Sequence, residues 1–138
     1  MYDLQRIGSL ISSIQKYMNE IKGYSVKSAD DLADSKNYNA SSMVVFAILN
    51  KVIDLGNEII SAEELGAPNT YQDIMPILAK ANIINKLQAE KLNKLIRKRN
   101  VLAHFYDEMS EKDLFDAIKE IPLIEDFIVI VKKRVKLQ

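Results

Sequence analysis

The sequence predicts an all-α fold, an antiparallel bundle of about five to six helices. Three observations predict it. Apolar residues recur at three-and-four spacing along most of the chain, and capping and stopping residues punctuate that pattern at intervals of helix length. The one β-branched and aromatic run, "FIVIV" at 127–131, sits inside helical spacing and has no partner run to pair with.

The first helix begins near Leu4, where Leu4, Ile7, Ile11, Ile14, Met18 and Ile21 close one face, and Gly23 is a natural stop. The polar stretch "SVKSADDLADSKNYN" reads as a loop holding at most a short helix around Leu32, with Ser28 or Asp30 as cap. From Ala40, "ASSMVVFAILNKVIDLGNEIISAEELG" carries apolar residues on nearly every side through its middle, as a central helix packed between neighbours does. Gly66 and Pro68 are its expected terminators.

Thr70 to Asp73 has capping-box form, and Pro76 in the following turn predicts a short or kinked helix ending near Ala81. Asn85 with Gln88 starts another helix, whose inner side is assigned to Leu87, Leu92, Leu95, Ile96 and Leu102. Ser110 to Asp113 repeats the capping pattern, and Pro122 divides the remainder into pieces at 111–120 and 122–136. Lys132, Lys133, Arg134 and Lys136 then complement the negative end of the last helix.

With 138 residues the chain has the length of one domain, so a single helical domain over 1–138 is expected. The 19 basic and 19 acidic residues cancel, so any anion site has to be local rather than a property of the whole molecule. The absence of cysteine excludes disulfides, thiolate catalysis and the common structural zinc sites, and a single histidine excludes a multi-histidine metal site within one chain. No metal or cofactor is expected. The N-terminus lacks a leader pattern and no apolar run is long enough to span a bilayer, which makes a cytoplasmic, membrane-free protein the expectation.

The most chemically loaded stretch is "RNVLAHFY" at 99–106, which holds the only histidine and follows the basic run "KLNKLIRKRN". Two readings stand side by side. In the first, the cations compensate the helix dipole and His104 caps carbonyls at the helix end. In the second, His104 moves a proton near neutral pH, Arg99 braces a phosphate with parallel hydrogen bonds, and Tyr106 orients a group or is modified, a set suited to metal-free phosphodiester cleavage. At about 100° per residue Arg99 and Tyr106 lie within roughly 20° of each other, whereas His104 lies about 140° from Arg99. Either the helix loosens before His104 or a second copy completes the site. Lys91, Lys94 and Lys98 share one helical side and form either a solvated face or a strip that tracks phosphates.

The order R-N-x-x-x-H-x-Y resembles the signature of HEPN domains, in particular the HepT-like toxins paired with minimal nucleotidyltransferase antitoxins. The similarity extends over most of the chain, from "VIDLGNEIISAEELGAPNTYQDIMPILAKANII" through "RNVLAHFYDEM" to the final paired helices. The resemblance implies a homodimer whose cleft brings together Arg99 and His104 as the residues that cut RNA, without a metal. It implies supporting roles for Asn100, Asp54 and Asn57, the latter two as polar residues turned toward the cleft. It makes Tyr106 the position that a partner nucleotidyltransferase adenylylates, and a bulky, negatively charged AMP group there would block RNA entry. Arg97, Lys98 and Ala103 depart from the family's usual residues around the motif. Two other readings are a non-catalytic HEPN module that binds a nucleotidyltransferase or nucleotide through the same cleft, and a dimerisation domain without chemistry.

Overall fold

The computed structural model describes residues 1–105 and 108–136. Among them are six α-helices and two 3₁₀ turns, and no strand. Helix α1 spans Leu4–Gly23, α2 Ser35–Ala62, α3 Ile74–Lys80, α4 Lys86–Phe105, α5 Glu111–Lys119 and α6 Ile121–Val135. The 3₁₀ turns, Ala29–Leu32 and Tyr71–Asp73, precede α2 and α3. Helix α2 packs against α1, α3, α4 and α5, and α6 closes the bundle against α1, α4 and α5. No helix is long and apolar enough to cross a membrane.

The local signals act where the sequence puts them. Asp3 caps α1 by accepting from the Arg6 amide at 3.0 Å, and Asn85 and Gln88 exchange backbone-to-side-chain bonds of 2.9 and 2.7 Å at the start of α4. Capping boxes form at Ser28 and Thr70, and Ser110 accepts from the Asp113 amide at 3.0 Å. Pro76 falls in the first turn of α3, where a backbone N–H has no intrahelical acceptor, so its ring costs no ladder bond.

Four details differ from the pattern reading. Helix α2 begins at Ser35, because Asp34 accepts from the amides of Lys36 and Asn37 and so draws "SKNYN" into the helix. It ends at Ala62 rather than at Gly66, because Glu64 takes the left-handed conformation (φ 54°) and Leu65 N–H returns to the Ile60 carbonyl at 3.0 Å. Its buried residues cover only about half its circumference, which leaves Met43 exposed. Leu4 and Leu87 are exposed at 48% and 59%: each sits in the first turn of its helix, and Leu87 lies about 140° round from buried Leu92.

The helix pairs run antiparallel, as contacts between their ends record. The N-terminal ammonium donates to the Ala62 carbonyl at 3.3 Å and Arg6 pairs with Glu58, so the start of α1 meets the end of α2. Lys22 at the other end of α1 reaches Glu125 near the start of α6 at 2.8 Å. Arg134 does more than complement a helix end: its Nε and Nη2 each donate to Glu63 at 2.6 Å, and the Tyr2 hydroxyl donates to the same carboxylate. One carboxylate thereby ties together the N-terminus, the end of α2 and the end of α6.

Between α2 and α3 the backbones approach closely at Gly56, where a Cβ would lie 2.5 Å from Cγ2 of the buried Ile74. Gly56→Ala is expected to force α3 away from α2 and to lower unfolding stability by about 1–3 kcal/mol, read by urea denaturation. The hydrogen bonds from Arg134, with that from Tyr2, hold the Glu63 carboxyl below its ordinary range despite the opposing effect of burial. A carboxylate with a depressed folded-state pKa contributes stability that is complete above about pH 5 and is lost as pH falls through the ordinary glutamate range and below. Glu63→Gln should therefore flatten the acid limb of the stability–pH curve, with the difference from wild type shrinking as the pH is lowered.

Candidate active site

Arg99 projects from the inner side of α4, on the face that buries Leu92, Leu95 and Ile96, and reaches past the core to the surface of α2. Its Nε donates to Asn50 Oδ1 at 2.8 Å. Its guanidinium carbon stands 5.8 Å from the ring centroid of Phe46 on α2 and 5.6 Å from that of Tyr71 in the second 3₁₀ turn. An arginine between two ring faces is held by attraction to both quadrupoles, and the Asn50 bond fixes its rotation. Among the described residues its two terminal nitrogens have no hydrogen-bond partner, so they are available to a planar or tetrahedral oxyanion.

Phe46, Asn50, Asp54 and Asn57 fall on one stripe of α2, within about 80° by helical spacing. The sequence reading singled out Asp54 and Asn57 there. The structure puts both on the Arg99 side of α2, Asp54 half-buried and Asn57 exposed, but the residue that binds Arg99 is Asn50, one turn earlier. Sequence reasoning missed Asn50, Phe46 and Tyr71. Asn50 carried a signal: it is the sole uncharged polar residue inside the apolar run "VVFAILNKVIDL". Tyr71 carried none, since its approach to Arg99 depends on how α3 docks.

Helix α4 continues without a break through Phe105, so it does not loosen before His104. His104 and Asn100 are both exposed and share one side of α4, while Arg99 points elsewhere on the same helix. One chain therefore presents the arginine and the histidine on different sides. Tyr106 lies outside the described residues. The segment after it is anchored, because the Tyr38 hydroxyl on α2 donates to the Met109 carbonyl at 2.5 Å and Met109 itself is buried.

The basic run behaves differently from its appearance in the sequence. Lys91, Lys94 and Lys98 line a groove of about 610 Å³ whose other wall carries Asp113, Asp116 and Glu120, with Lys119 among them. Lys98 is committed further, donating to the Asp113 carbonyl at 3.0 Å. A strip facing carboxylates across a groove attracts phosphate less than its own charge suggests. Among the described residues no group of three histidine, cysteine, aspartate or glutamate side chains has a metal-binding arrangement.

The pattern of the family described as Ribonuclease HepT-like matches residues 14–131. The chain belongs to this HepT-like family. The mRNA nuclease HepT of Shewanella oneidensis is 28% identical over 81 residues, which cover 58% of this chain and 61% of that protein. YutE of Bacillus subtilis is 29% identical over 72 residues, 52% of this chain and 50% of that protein, so the chain spans about half to three fifths of the length of these curated relatives. In three dimensions the HepT-like chain superposes on YutE, a cytosolic protein, with a TM-score of 0.85 at 22% identity, covering 99% of this chain and 94% of that one. It superposes on the tri-AMPylated Shewanella oneidensis HEPN toxin, solved in complex with its MNT antitoxin, with a TM-score of 0.86 at 22% identity, covering 96% and 99%. At these identities the superpositions establish the HEPN fold.

If Asn50 fixes the guanidinium, Asn50→Ala should leave the helical content unchanged but free Arg99 to rotate. The expected readout is loss of the protected Arg99 Nε–H signal in an ¹⁵N spectrum, with a stability loss of about 1 kcal/mol, since one charge-assisted bond at a half-exposed site is removed.

Proposed function

We propose that the chain is a HepT-like toxin, a metal-independent endoribonuclease that works as a homodimer and is neutralised by a cognate minimal nucleotidyltransferase antitoxin. The observation that carries the dimeric reading is the unbroken helix through Phe105: Arg99 and His104 lie on different sides of α4, so a two-fold arrangement is the economical way to gather both at one phosphate. The HepT-like match over residues 14–131 supports ribonuclease chemistry, and the mRNA nuclease HepT supplies the substrate class. The reading places the protein in the cytoplasm with its RNA.

In this mechanism His104 takes the proton from a ribose 2′-hydroxyl as the 2′-oxygen attacks the adjacent phosphorus. The P–O5′ bond breaks, and a proton supplied by His104 of the partner subunit goes to the leaving 5′-oxygen, which leaves a 2′,3′-cyclic phosphate and a 5′-hydroxyl end. Arg99 stabilises the additional charge on the non-bridging oxygens in the transition state through its two unengaged nitrogens. The rings of Phe46 and Tyr71 and the Asn50 amide hold it in place beforehand, which reduces the reorganisation that the charged transition state requires. Asn100, on the His104 side of the helix, supports the phosphate or the backbone near the histidine. Asp54 and Asn57 extend the polar stripe along the same cleft.

Neutralisation in this reading is covalent. The antitoxin transfers AMP to the Tyr106 hydroxyl, and the added phosphate and nucleoside repel and obstruct the RNA backbone beside Arg99. The S. oneidensis HEPN toxin, AMPylated and bound to its MNT antitoxin, is the precedent.

Purified protein freed of any antitoxin is expected to cut single-stranded RNA in the presence of a chelator. His104→Ala should abolish cleavage and Arg99→Ala should reduce it by roughly 10²–10³-fold, by analogy with the loss of one oxyanion-stabilising donor. Equal inactivity of wild type and His104→Ala, both folded and dimeric, would overturn the nuclease reading in favour of a binding module.

A further inference from the structure

Next to the Arg99 cradle, the surface between α2 and the end of α4 opens into a cavity of about 290 Å³ lined by Asn39, Ser42, Met43, Phe46 and Leu102. Its walls are mainly apolar, yet two of its residues bring polar groups. Asn39 is exposed, with its amide unengaged among the described residues, and Ser42 is 3% exposed with a hydroxyl that has no hydrogen-bond partner. A buried hydroxyl without a partner is unfavourable and rare in folded proteins. Met43, at 73% exposure, is a large apolar side chain left outside the core.

Phe46 belongs to both features: it is a wall of the cavity and one of the two rings against Arg99. A ligand that fits the pair has a flat face to lie against Phe46 and Met43, hydrogen-bonding groups on its edge for Ser42 and Asn39, and an attached anion for Arg99. A nucleotide has that combination, with the base in the cavity and the phosphate at the guanidinium. An apolar side chain from a second copy would fill the same space but leave the Ser42 hydroxyl unpaired.

We propose that this cavity is a base-selecting subsite, in which Ser42 and Asn39 read the edge of the nucleobase next to the scissile phosphate. The inference rests on the nuclease reading for its biological meaning, though the binding it asserts is testable without cleavage.

The test uses the full chain carrying ¹³C-methyl methionine, titrated with each of the four ribonucleoside 5′-monophosphates. Wild-type, Ser42→Ala and Asn39→Ala proteins are compared, and the same three proteins are assayed for cut-site distribution on a mixed-sequence RNA. The expected result is a saturable shift of the Met43 methyl signal, strongest for one base, and a loss of about five-fold in affinity for that nucleotide in Ser42→Ala, as one neutral hydrogen bond warrants. The cut sites should spread to other bases in the same variant. Met43 shifts that follow protein concentration and ignore nucleotide would mean that a second copy fills the cavity, and would overturn the proposal. Cleavage whose base distribution is unchanged in both variants would overturn the subsite while leaving the nuclease reading intact. Base-selective Met43 shifts in a wild-type protein that cuts no RNA would uphold the nucleotide pocket and defeat the nuclease reading instead.

Discussion

The burial of α2 is the constraint on which the rest of the molecule depends. This helix of 28 residues packs against four others, and the side chains from Val44 to Ile60 that meet them cover about half its circumference. Burying a β-branched or aliphatic side chain of that kind is worth about 1.5–3 kcal/mol relative to leaving it exposed, so the orientation of α2 about its axis is strongly fixed. The close approach at Gly56 sets the spacing of α3, and the Glu63 carboxylate at the end of α2 gathers the N-terminus and α6. Once α2 is held in this way, its opposite stripe is determined as well. Asn39, Met43, Phe46, Asn50, Asp54 and Asn57 are then presented together because they are the residues the core does not use.

The candidate site grows out of that same arrangement. Arg99 occupies a position on α4 that would be apolar if the inner face simply continued, and it reaches α2 where the polar stripe begins. The core thus positions the cation without burying it, which keeps its charge usable and spares the desolvation cost of a fully interior arginine. Asn100 and His104 lie on the other side of α4, outside the core contacts. A cation fixed by packing and a histidine exposed at the helix end suit a site that a second surface completes, whether that surface is another copy or a ligand.

Charge patterning carries a related lesson. The run Lys91, Lys94 and Lys98 stands out in a chain of zero net charge, yet the fold sets it across a groove from Asp113, Asp116 and Glu120. Arg97, Lys98 and Arg99 are adjacent in sequence and differ in setting: Arg97 is exposed, Lys98 is bonded to the Asp113 carbonyl, and Arg99 lies between two rings. Local density of basic residues therefore did not identify the phosphate-facing cation. Contact with aromatic rings and an amide did.

The sequence by itself determined the class of fold, the number and order of its helices and most of their boundaries, because caps, prolines and apolar periodicity act through bonds and contacts only three or four residues apart. It also singled out Arg99 and His104, since the spacing and residue types of "RNVLAHFY" carry both the chemistry and the resemblance to HEPN domains. The tertiary structure alone decided that α2 starts at Ser35, that Leu4 and Leu87 face water, that Asn50 rather than Asp54 or Asn57 holds Arg99, and that Tyr71 joins it from another element. The physical reason is range. A helix cap is settled by neighbours along the chain, whereas a cation's surroundings depend on which side chains the packing of distant helices brings within a few ångströms.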